Sequence, residues 1–219
     1  MKKFKDKLIV ALDVDTLQRA KRLLNILYPT VKIFKVGSQL FSACGPEAIN
    51  VIRKKGAKVF LDLKYHDIPN TVKSAVEEAR RLKVFMLTLH ASGGEDMMKA
   101  AAKVINRPLI VAVTVLTSQA GKNVNRRVME LAKLAKKARI NGVVSSCQEA
   151  AAIRKKMGKN FIIVTPGIRP KGTEAFDQKR IATPKDAISA GADFIVVGRP
   201  ITKAKDPLEA TLNILKELD

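Results

Sequence analysis

The chain has 219 residues, 47% hydrophobic and 28% charged, with no low-complexity tract and no apolar run of about 20 residues; we expect one domain over residues 1–219, neither disordered nor membrane-spanning. Its 41 Lys and Arg against 20 Asp and Glu give a formal net charge of +21, which by itself favours a polyanionic partner. Two cysteines outside any CxxC spacing, and an apolar start too short for a secretion signal, indicate a cytoplasmic protein without a disulfide framework or a zinc site.

Eight short runs rich in β-branched and aromatic residues recur along the chain, as is typical of buried parallel strands. They are LIVALDV (8–14), IFKVGS (33–38), VFLDLK (59–64), MLTLHA (86–91), LIVAVTVL (109–116), GVVSS (142–146), FIIVTPGI (161–168) and FIVVGRPI (194–201). Segments with helical spacing of apolar residues alternate with them, such as TLQRAKRLLNIL, PEAINVIRKK and VMELAKLAKKAR. Eight such units predict an α/β fold, a single closed (β/α)8 TIM barrel rather than an open doubly wound sheet.

Polar or ionisable residues stand near the ends of these predicted strands. They are Asp13, Lys35, Asp62, Lys64, His90, Thr117, Ser118, Ser145, Thr165 and Arg199. In a barrel the carboxyl ends of the strands converge on one mouth, where enzymes of this fold carry their sites. We interpret Ser145, Thr165 and His90 as interior polar groups with satisfied hydrogen bonds, and the others as candidates for function.

The third predicted strand continues into LDLKYHDIPNT (61–71), a segment with an unusual density of charge. Asp62 and Lys64 are two residues apart, so an extended strand projects them to the same face. Asp67 follows in a loop that Pro69 interrupts, and Thr71 is the expected helix N-cap. Lys35, at the end of the second strand, is expected beside Asp62 and Lys64 if neighbouring strands follow chain order.

Two lysines and two carboxylates form a nearly neutral group, which a partly enclosed pocket can tolerate. A structural network of ion pairs is the alternative, but four charges at the mouth of a barrel favour a catalytic site. A lysine held between carboxylates can donate a proton to a developing carbanion, and a carboxylate can repel an anionic substrate group. This chemistry suits a decarboxylation.

A phosphate site is indicated at the last two strands. Gly198 and Arg199 follow the eighth strand, where barrels often bind phosphate, and arginine offers a planar fork of donors. The long polar loop TPGIRPKGTEAFDQKRIATP (165–184) contains Arg169 and Gln178 and has the length of a lid. The alternative for Arg169 and Gln178 is solvation at the surface.

In the order ALDVD, FKVG, DLKYHDIPNT, LHASGG, VTVLTS, TPGIRP, DQKR and VVGRPI, these motifs resemble the orotidine 5′-phosphate decarboxylase family in its compact bacterial form, from about Leu8 to Ile201. The resemblance implies conversion of orotidine 5′-phosphate to UMP in pyrimidine biosynthesis, by a homodimer with shared active sites. It also implies that no metal and no organic cofactor is needed, in agreement with the lack of a His/Cys cluster or a nucleotide-cofactor fingerprint in the sequence.

Carried onto the matching residues, the resemblance implies that Lys64 protonates C6 of the pyrimidine while Asp62 lies against the departing carboxylate. Lys35 and Asp67 complete an alternating array, Asp67 reaching the site of the neighbouring subunit. The other implied substrate contacts are Asp13 and Lys35 at the ribose, Thr117 and Ser118 at the base, Pro166, Arg169, Gln178, Gly198 and Arg199 around the base and phosphate, and Ile68 and Thr71 from the partner subunit. Ground-state repulsion by Asp62 and stabilisation of the carbanion by Lys64 are both consistent with the sequence.

Two other functions are open to the sequence. A magnesium-dependent phosphosugar barrel, a keto-gulonate-phosphate decarboxylase or a hexulose-phosphate synthase, shares the D-x-K-x-x-D strand but needs an acidic metal-binding set. A nucleic-acid-binding protein would use the net charge of +21, but the basic residues are scattered over amphipathic helices and only two tyrosines and no tryptophan are present. We therefore interpret the basic residues as solvated helix faces.

Overall fold

The structure is a computed structural model, and it describes residues 6–118, 121, 123–170 and 181–218. Strands of this part of the chain form a closed, wholly parallel barrel in chain order. They are β1 (Leu8–Ala11), β2 (Ile33–Gly37), β3 (Lys58–Tyr65), β4 (Met86–His90), β5 (Leu109–Val113), β6 (Gly142–Val144), β7 (Ile162–Thr165) and β8 (Phe194–Val197). The predicted (β/α)8 barrel is confirmed.

Helices follow the strands and cover the outside of the barrel. Within the described ranges they are α1 (Leu17–Leu27), α2 (Ser38–Cys44), α3 (Glu47–Lys54), α4 (Pro69–Arg81), α5 (Gly94–Ala102), α6 (Val124–Lys137), α7 (Cys147–Met157), α8 (Pro184–Ser189), α9 (Arg199–Thr202) and α10 (Pro207–Glu217). Side-chain oxygens of Thr16, Ser146, Thr183 and Asp206 cap α1, α7, α8 and α10 by accepting from first-turn N–H groups. None of the helices described here combines the length and apolar character needed to cross a bilayer.

The alternation of side chains along each strand divides the core into two parts. One set fills the barrel interior: Ile9, Ala11, Ile33, Phe60, Met86, Val111, Val164 and Val196. The residues of β1 that alternate with this set, Leu8 and Val10, point outward and pack with the helices. Each strand is therefore buried on both faces, which explains the nearly continuous apolar runs in the sequence.

The register of the first strands brings charged side chains to the mouth. Parallel pairing joins Ala11 to Lys35, Lys35 to Phe60, and Gly37 to Asp62. Inward positions on β2 therefore change from Ile33 to Lys35, and those on β3 from Phe60 to Asp62, towards the carboxyl ends. The same strands that build the apolar interior carry the ionisable residues one step further along.

Several predicted boundaries were wrong, among them the carboxyl ends of the runs at 8–14, 109–116, 142–146 and 161–168, which end as strands at Ala11, Val113, Val144 and Thr165. The last predicted strand (194–201) ends at Val197, because Arg199 and Pro200 begin the short helix α9. The second predicted strand (33–38) ends at Gly37, and Ser38 already starts α2. Thr71 is not an N-cap: Ile68 has the extended backbone of that position, and Pro69, which needs no hydrogen-bond partner for its nitrogen, starts α4.

Candidate active site

A cavity of about 680 Å³ opens where the carboxyl ends of the strands meet. The predicted site residues that line it are Asp13, Lys35, Asp62, Lys64, Thr117, Pro166, Arg169, Gly198 and Arg199. Ser118 is exposed and is not part of this lining, and Gln178 lies outside the described residues. The structure therefore brings together, in one cavity, the predicted residues of β2 and β3 and those that follow β1, β5, β7 and β8.

An alternating chain of charges crosses one wall of the cavity. Lys35 Nζ lies 2.8 Å from Asp13 Oδ1 and 3.5 Å from Asp62 Oδ2, and Lys64 Nζ lies 2.9 Å from Asp62 Oδ1. The side chains of Lys35 and Asp62 are only 10% and 14% exposed, whereas that of Lys64 is 37% exposed. Lys64 is thus the lysine of the array that a molecule in the cavity can reach most readily.

The neighbouring charges keep the buried members of this array ionised. Burial is the strongest single influence on Asp62 and acts to raise its pKa, but Lys35 and Lys64 together outweigh it and hold the pKa below its ordinary value. Burial likewise acts most strongly on Lys35, to lower its pKa, but Asp62 and then Asp13 outweigh it and raise the pKa. Asp62 is therefore a carboxylate and Lys35 an ammonium at neutral pH.

Two residues that support the charged array were missed in the sequence, as were Arg19, Gln39 and Lys203 of the cavity lining. A Cβ on Gly37 would lie 2.9 Å from Lys35 Nζ and 3.0 Å from Asp13 Oδ1, so glycine leaves the room that this ion pair occupies. Thr88, fully buried on β4, donates from Oγ1 to Asp62 Oδ1 over 3.0 Å. The period of two along MLTLHA was the available signal for Thr88, because it puts Thr88 on the same face as Met86.

Two guanidinium groups lie close together elsewhere in the cavity lining. Arg169 is 7% exposed and donates to the Ile168 carbonyl oxygen over 2.8 Å. Burial, and after it the charge of Arg199, lowers the pKa of Arg169. Guanidinium groups form charge-assisted, bidentate hydrogen bonds with phosphate oxygens, so this end of the lining can bind a phosphate.

The loop after β3 and the first turn of α4 contribute no residue to this chain's cavity lining. Asp67, Ile68 and Thr71 are exposed, and the Ile68 side chain is 67% accessible although it is apolar. Asp67 Oδ1 accepts from the backbone N–H of Ile68 over 2.6 Å. Within one chain, the array consequently contains Asp13, Lys35, Asp62 and Lys64 but not Asp67.

The prediction of interior polar groups with satisfied hydrogen bonds is confirmed for Ser145 but wrong for Thr165. Ser145 is buried and donates from Oγ to Glu149 Oε2 over 3.3 Å, while Thr165 is buried with no hydrogen-bond partner for Oγ1 among the described residues. His90 is half-buried, its ring 5.2 Å from that of His66.

In the described ranges, no three His, Cys, Asp or Glu residues are grouped as metal ligands would be.

Comparison with known proteins assigns the chain to a family. The fold and the charged cavity define a (β/α)8-barrel enzyme with its site at the carboxyl ends of the strands. A family model described as "Orotidine 5'-phosphate decarboxylase / HUMPS family" matches residues 6–214. The chain belongs to this family, which confirms the resemblance seen in the sequence.

Similar proteins match over nearly their whole length. Those named orotidine 5′-phosphate decarboxylase include one from Pelobacter propionicus, 46% identical over 97% of this chain and 95% of the relative, and one from Syntrophomonas wolfei, 46% identical over 98% of each. Among solved structures, orotidine 5′-phosphate decarboxylase from Lactobacillus acidophilus has a TM-score of 0.85 at 37% identity, covering 98% of this chain and 99% of that one. The protein of that name from Pyrococcus horikoshii has a TM-score of 0.82 at 26% identity, covering 96% and 98%.

The lowered pKa of Asp62 predicts how stability depends on pH. A carboxyl whose pKa is lower in the folded state stabilises the fold above its unfolded pKa, and this contribution disappears as the pH falls through the folded value. Asp62→Asn should therefore be less stable than the wild type near neutrality, and the difference should shrink as the pH falls below about 4, the ordinary pKa of an aspartate. Urea unfolding at each pH measures it. Glu209→Gln, at an exposed carboxyl of α10, is the control, and a difference that does not change with pH for Asp62→Asn would contradict the prediction.

Proposed function

We propose that this protein decarboxylates orotidine 5′-phosphate to UMP and CO2 in de novo pyrimidine biosynthesis, in the cytoplasm, as a single barrel domain without a metal or an organic cofactor. The observation that carries the proposal is the Lys64 ammonium, 2.9 Å from the buried carboxylate of Asp62 at the wall of a cavity that Arg169 and Arg199 also line. One cavity thus contains guanidiniums that can bind an anionic substrate, a carboxylate that can repel the substrate's own carboxylate, and a proton donor. The names of the similar decarboxylases support the same reaction.

Substrate binding follows from the distribution of charge. Arg199 and Arg169, with the backbone at Gly198, bind the 5′-phosphate, because paired guanidiniums are the strongest fit for a phosphate dianion. Asp13 and Lys35 bind the ribose hydroxyls, one as acceptor and the other as donor. The remaining predicted contacts to the base are Thr117, Ser118, Pro166 and Gln178.

The chemical step needs one proton. The C6–carboxylate bond breaks, its electron pair stays on C6, and CO2 leaves; the Lys64 ammonium then donates a proton to C6 to give UMP, and solvent reprotonates the amine. Asp62, ionised at neutral pH because its pKa is lowered, faces the substrate carboxylate and repels it. Lys64 stabilises the negative charge that develops on C6.

The metal-dependent alternative is disfavoured by the position of Lys35. Its ammonium lies between the carboxylates of Asp13 and Asp62, at 2.8 and 3.5 Å, and so takes the place of a cation that two carboxylates would otherwise bind. A divalent metal at that position would have to displace a buried lysine. Activity that EDTA does not change supports the proposal, and activity lost to EDTA and restored by Mg²⁺ would reject it.

We also propose that the protein is a homodimer with shared active sites. Asp67, Ile68 and Thr71 do not line the cavity of their own chain, and Ile68 exposes an apolar side chain on the same loop. A second subunit that covers this loop would bury Ile68 and receive Asp67 next to its own Lys64. The array would then contain the four predicted catalytic residues Lys35, Asp62, Lys64 and Asp67.

The direct test is to incubate the protein with orotidine 5′-phosphate and follow the formation of UMP and CO2. We expect Lys64→Ala to abolish turnover, because the substitution removes the proton donor. The circular dichroism spectrum should stay native, because the Lys64 side chain is partly exposed. Lys73→Ala, at an exposed lysine of α4, is the matched control and should keep its activity. Near-native kcat in Lys64→Ala would reject the assignment of this residue.

Arg199→Ala should weaken substrate binding through the phosphate. The expected loss in kcat/KM corresponds to roughly 2 to 5 kcal/mol, the range for truncating one partner of a desolvated, hydrogen-bonded charge pair. Steady-state kinetics measures it, with Arg126→Ala at an exposed arginine of α6 as the control. An unchanged kcat/KM would place the phosphate elsewhere in the cavity.

Shared sites predict complementation between inactive variants. Lys64→Ala and Asp67→Ala homodimers should both be nearly inactive, but a mixed dimer has one site with both defects and one site with native Lys64 and native Asp67. Random assembly makes half of the dimers mixed, so roughly a quarter of native activity should return after the two variants are refolded together. No recovery in verified mixed dimers would mean that Asp67 acts within its own subunit.

A further inference from the structure

The end of β3 departs from regular pairing where it carries the catalytic candidates. Leu61 pairs with Leu87 and Tyr65 with Leu89, so β3 advances four residues while β4 advances two. Lys64 lies in this irregular stretch with a φ of 53°, in the left-handed region that is uncommon for residues other than glycine. Such a backbone persists only where the surroundings hold it.

Thr88 is the residue of β4 that faces this stretch. Its Oγ1 accepts from the backbone N–H of Lys64 over 2.8 Å and donates to Asp62 Oδ1 over 3.0 Å. A hydroxyl has one proton and can also accept, and since an amide N–H can only donate and a carboxylate can only accept, the direction of both bonds is fixed. Thr88 is 0% exposed, so these bonds form away from bulk water.

The two hydrogen bonds act on both catalytic candidates at once. Asp62 Oδ1 receives Thr88 Oγ1 and Lys64 Nζ, while Oδ2 faces Lys35, so the plane of the carboxylate is determined by three donors. The bond to the backbone N–H satisfies a group that the bulge removes from the strand ladder. One buried hydroxyl thereby links the orientation of Asp62 to the backbone conformation of Lys64.

We propose that Thr88 is a positioning residue of the decarboxylase site, which holds the left-handed backbone of Lys64 and the orientation of the Asp62 carboxylate so that both groups meet the substrate at C6. The expected effect of Thr88 on turnover rests on the proposed function. Its effect on the geometry and ionisation of Asp62 does not depend on that function. Thr88 acts through Lys64 and Asp62 and does not line the cavity itself.

Three variants separate the hydroxyl from the volume of the side chain. Thr88→Val keeps the shape and removes both hydrogen bonds, Thr88→Ser keeps the hydroxyl and removes a methyl group, and Thr88→Ala removes both. We expect kcat to fall on the order of 10- to 100-fold in Thr88→Val, because a small misplacement of reacting groups has effects of that size. KM and the affinity for UMP should change by less than about threefold, and Thr88→Ser should retain most of kcat.

The ionisation of Asp62 provides a readout that does not require turnover. The side-chain carboxyl of Asp62 is followed by carbon NMR as a function of pH, with Asp62→Asn identifying its signal. Because the Thr88 hydroxyl favours the charged form, the pKa of Asp62 should be higher in Thr88→Val than in the wild type and should return in Thr88→Ser. If wild-type protein does not convert orotidine 5′-phosphate, the proposed function fails, and this titration still decides the role of Thr88.

The Thr88 variants distinguish a positioning role of the hydroxyl from a packing role of the side chain. A loss of kcat and a raised Asp62 pKa in Thr88→Val, both reversed in Thr88→Ser, support the proposal. Equal impairment of Thr88→Val and Thr88→Ser would show that packing, not the hydroxyl, matters, and unchanged kcat and pKa in Thr88→Val would show that the hydrogen bonds position nothing; either result overturns it. If Thr88→Val does not fold, the comparison of Thr88→Ser with Thr88→Ala decides in the same way.

Discussion

The arrangement of the site depends on one buried carboxylate, that of Asp62. Its side chain is 14% exposed, and it remains ionised only because Lys35, Lys64 and Thr88 all direct donors to it. Each donor comes from a defined place in the barrel: β2, the end of β3, and β4. The parallel order β2-β3-β4 is therefore a requirement of the electrostatics as well as of the topology. Gly37 belongs to the same requirement, since a side chain there would occupy the space of the Asp13–Lys35 pair.

A closed parallel barrel suits such a group of charges for a physical reason. The layer beneath the cavity is apolar, with Ile9, Phe60 and Met86 among its members, and these residues pack whether or not anything is bound above them. The charged layer is thus held by strands that are already fixed on both faces. Polar groups that do not need to reorganise stabilise a transition state more effectively than mobile ones, and the barrel supplies that rigidity.

Much of this could be predicted from the sequence because strands have a simple period. Asp62 and Lys64 were expected on one face from their spacing of two, and Lys35 beside them from chain order; both contacts are present. The period does not reveal where a strand bulges, so the left-handed backbone at Lys64 and its bond to Thr88 were not anticipated. The N-cap of α4 was misplaced because Thr71 is a better capping residue than Ile68 by type, whereas Pro69 determines where the helix starts.

Under the proposed function, the charges of the array lower the barrier to the loss of CO2. Asp13, Lys35, Asp62 and Lys64 of one chain balance to zero, so a substrate carboxylate adds a negative charge next to Asp62 without a cation of its own. When CO2 departs, that charge moves to C6, further from Asp62 and closer to Lys64. Asp67 from a second subunit would make the array net negative and increase the penalty on the bound carboxylate, while Lys64 remains the donor nearest the new charge. The same groups thus disfavour the ground state and favour the carbanion, and the two effects are consequences of one geometry.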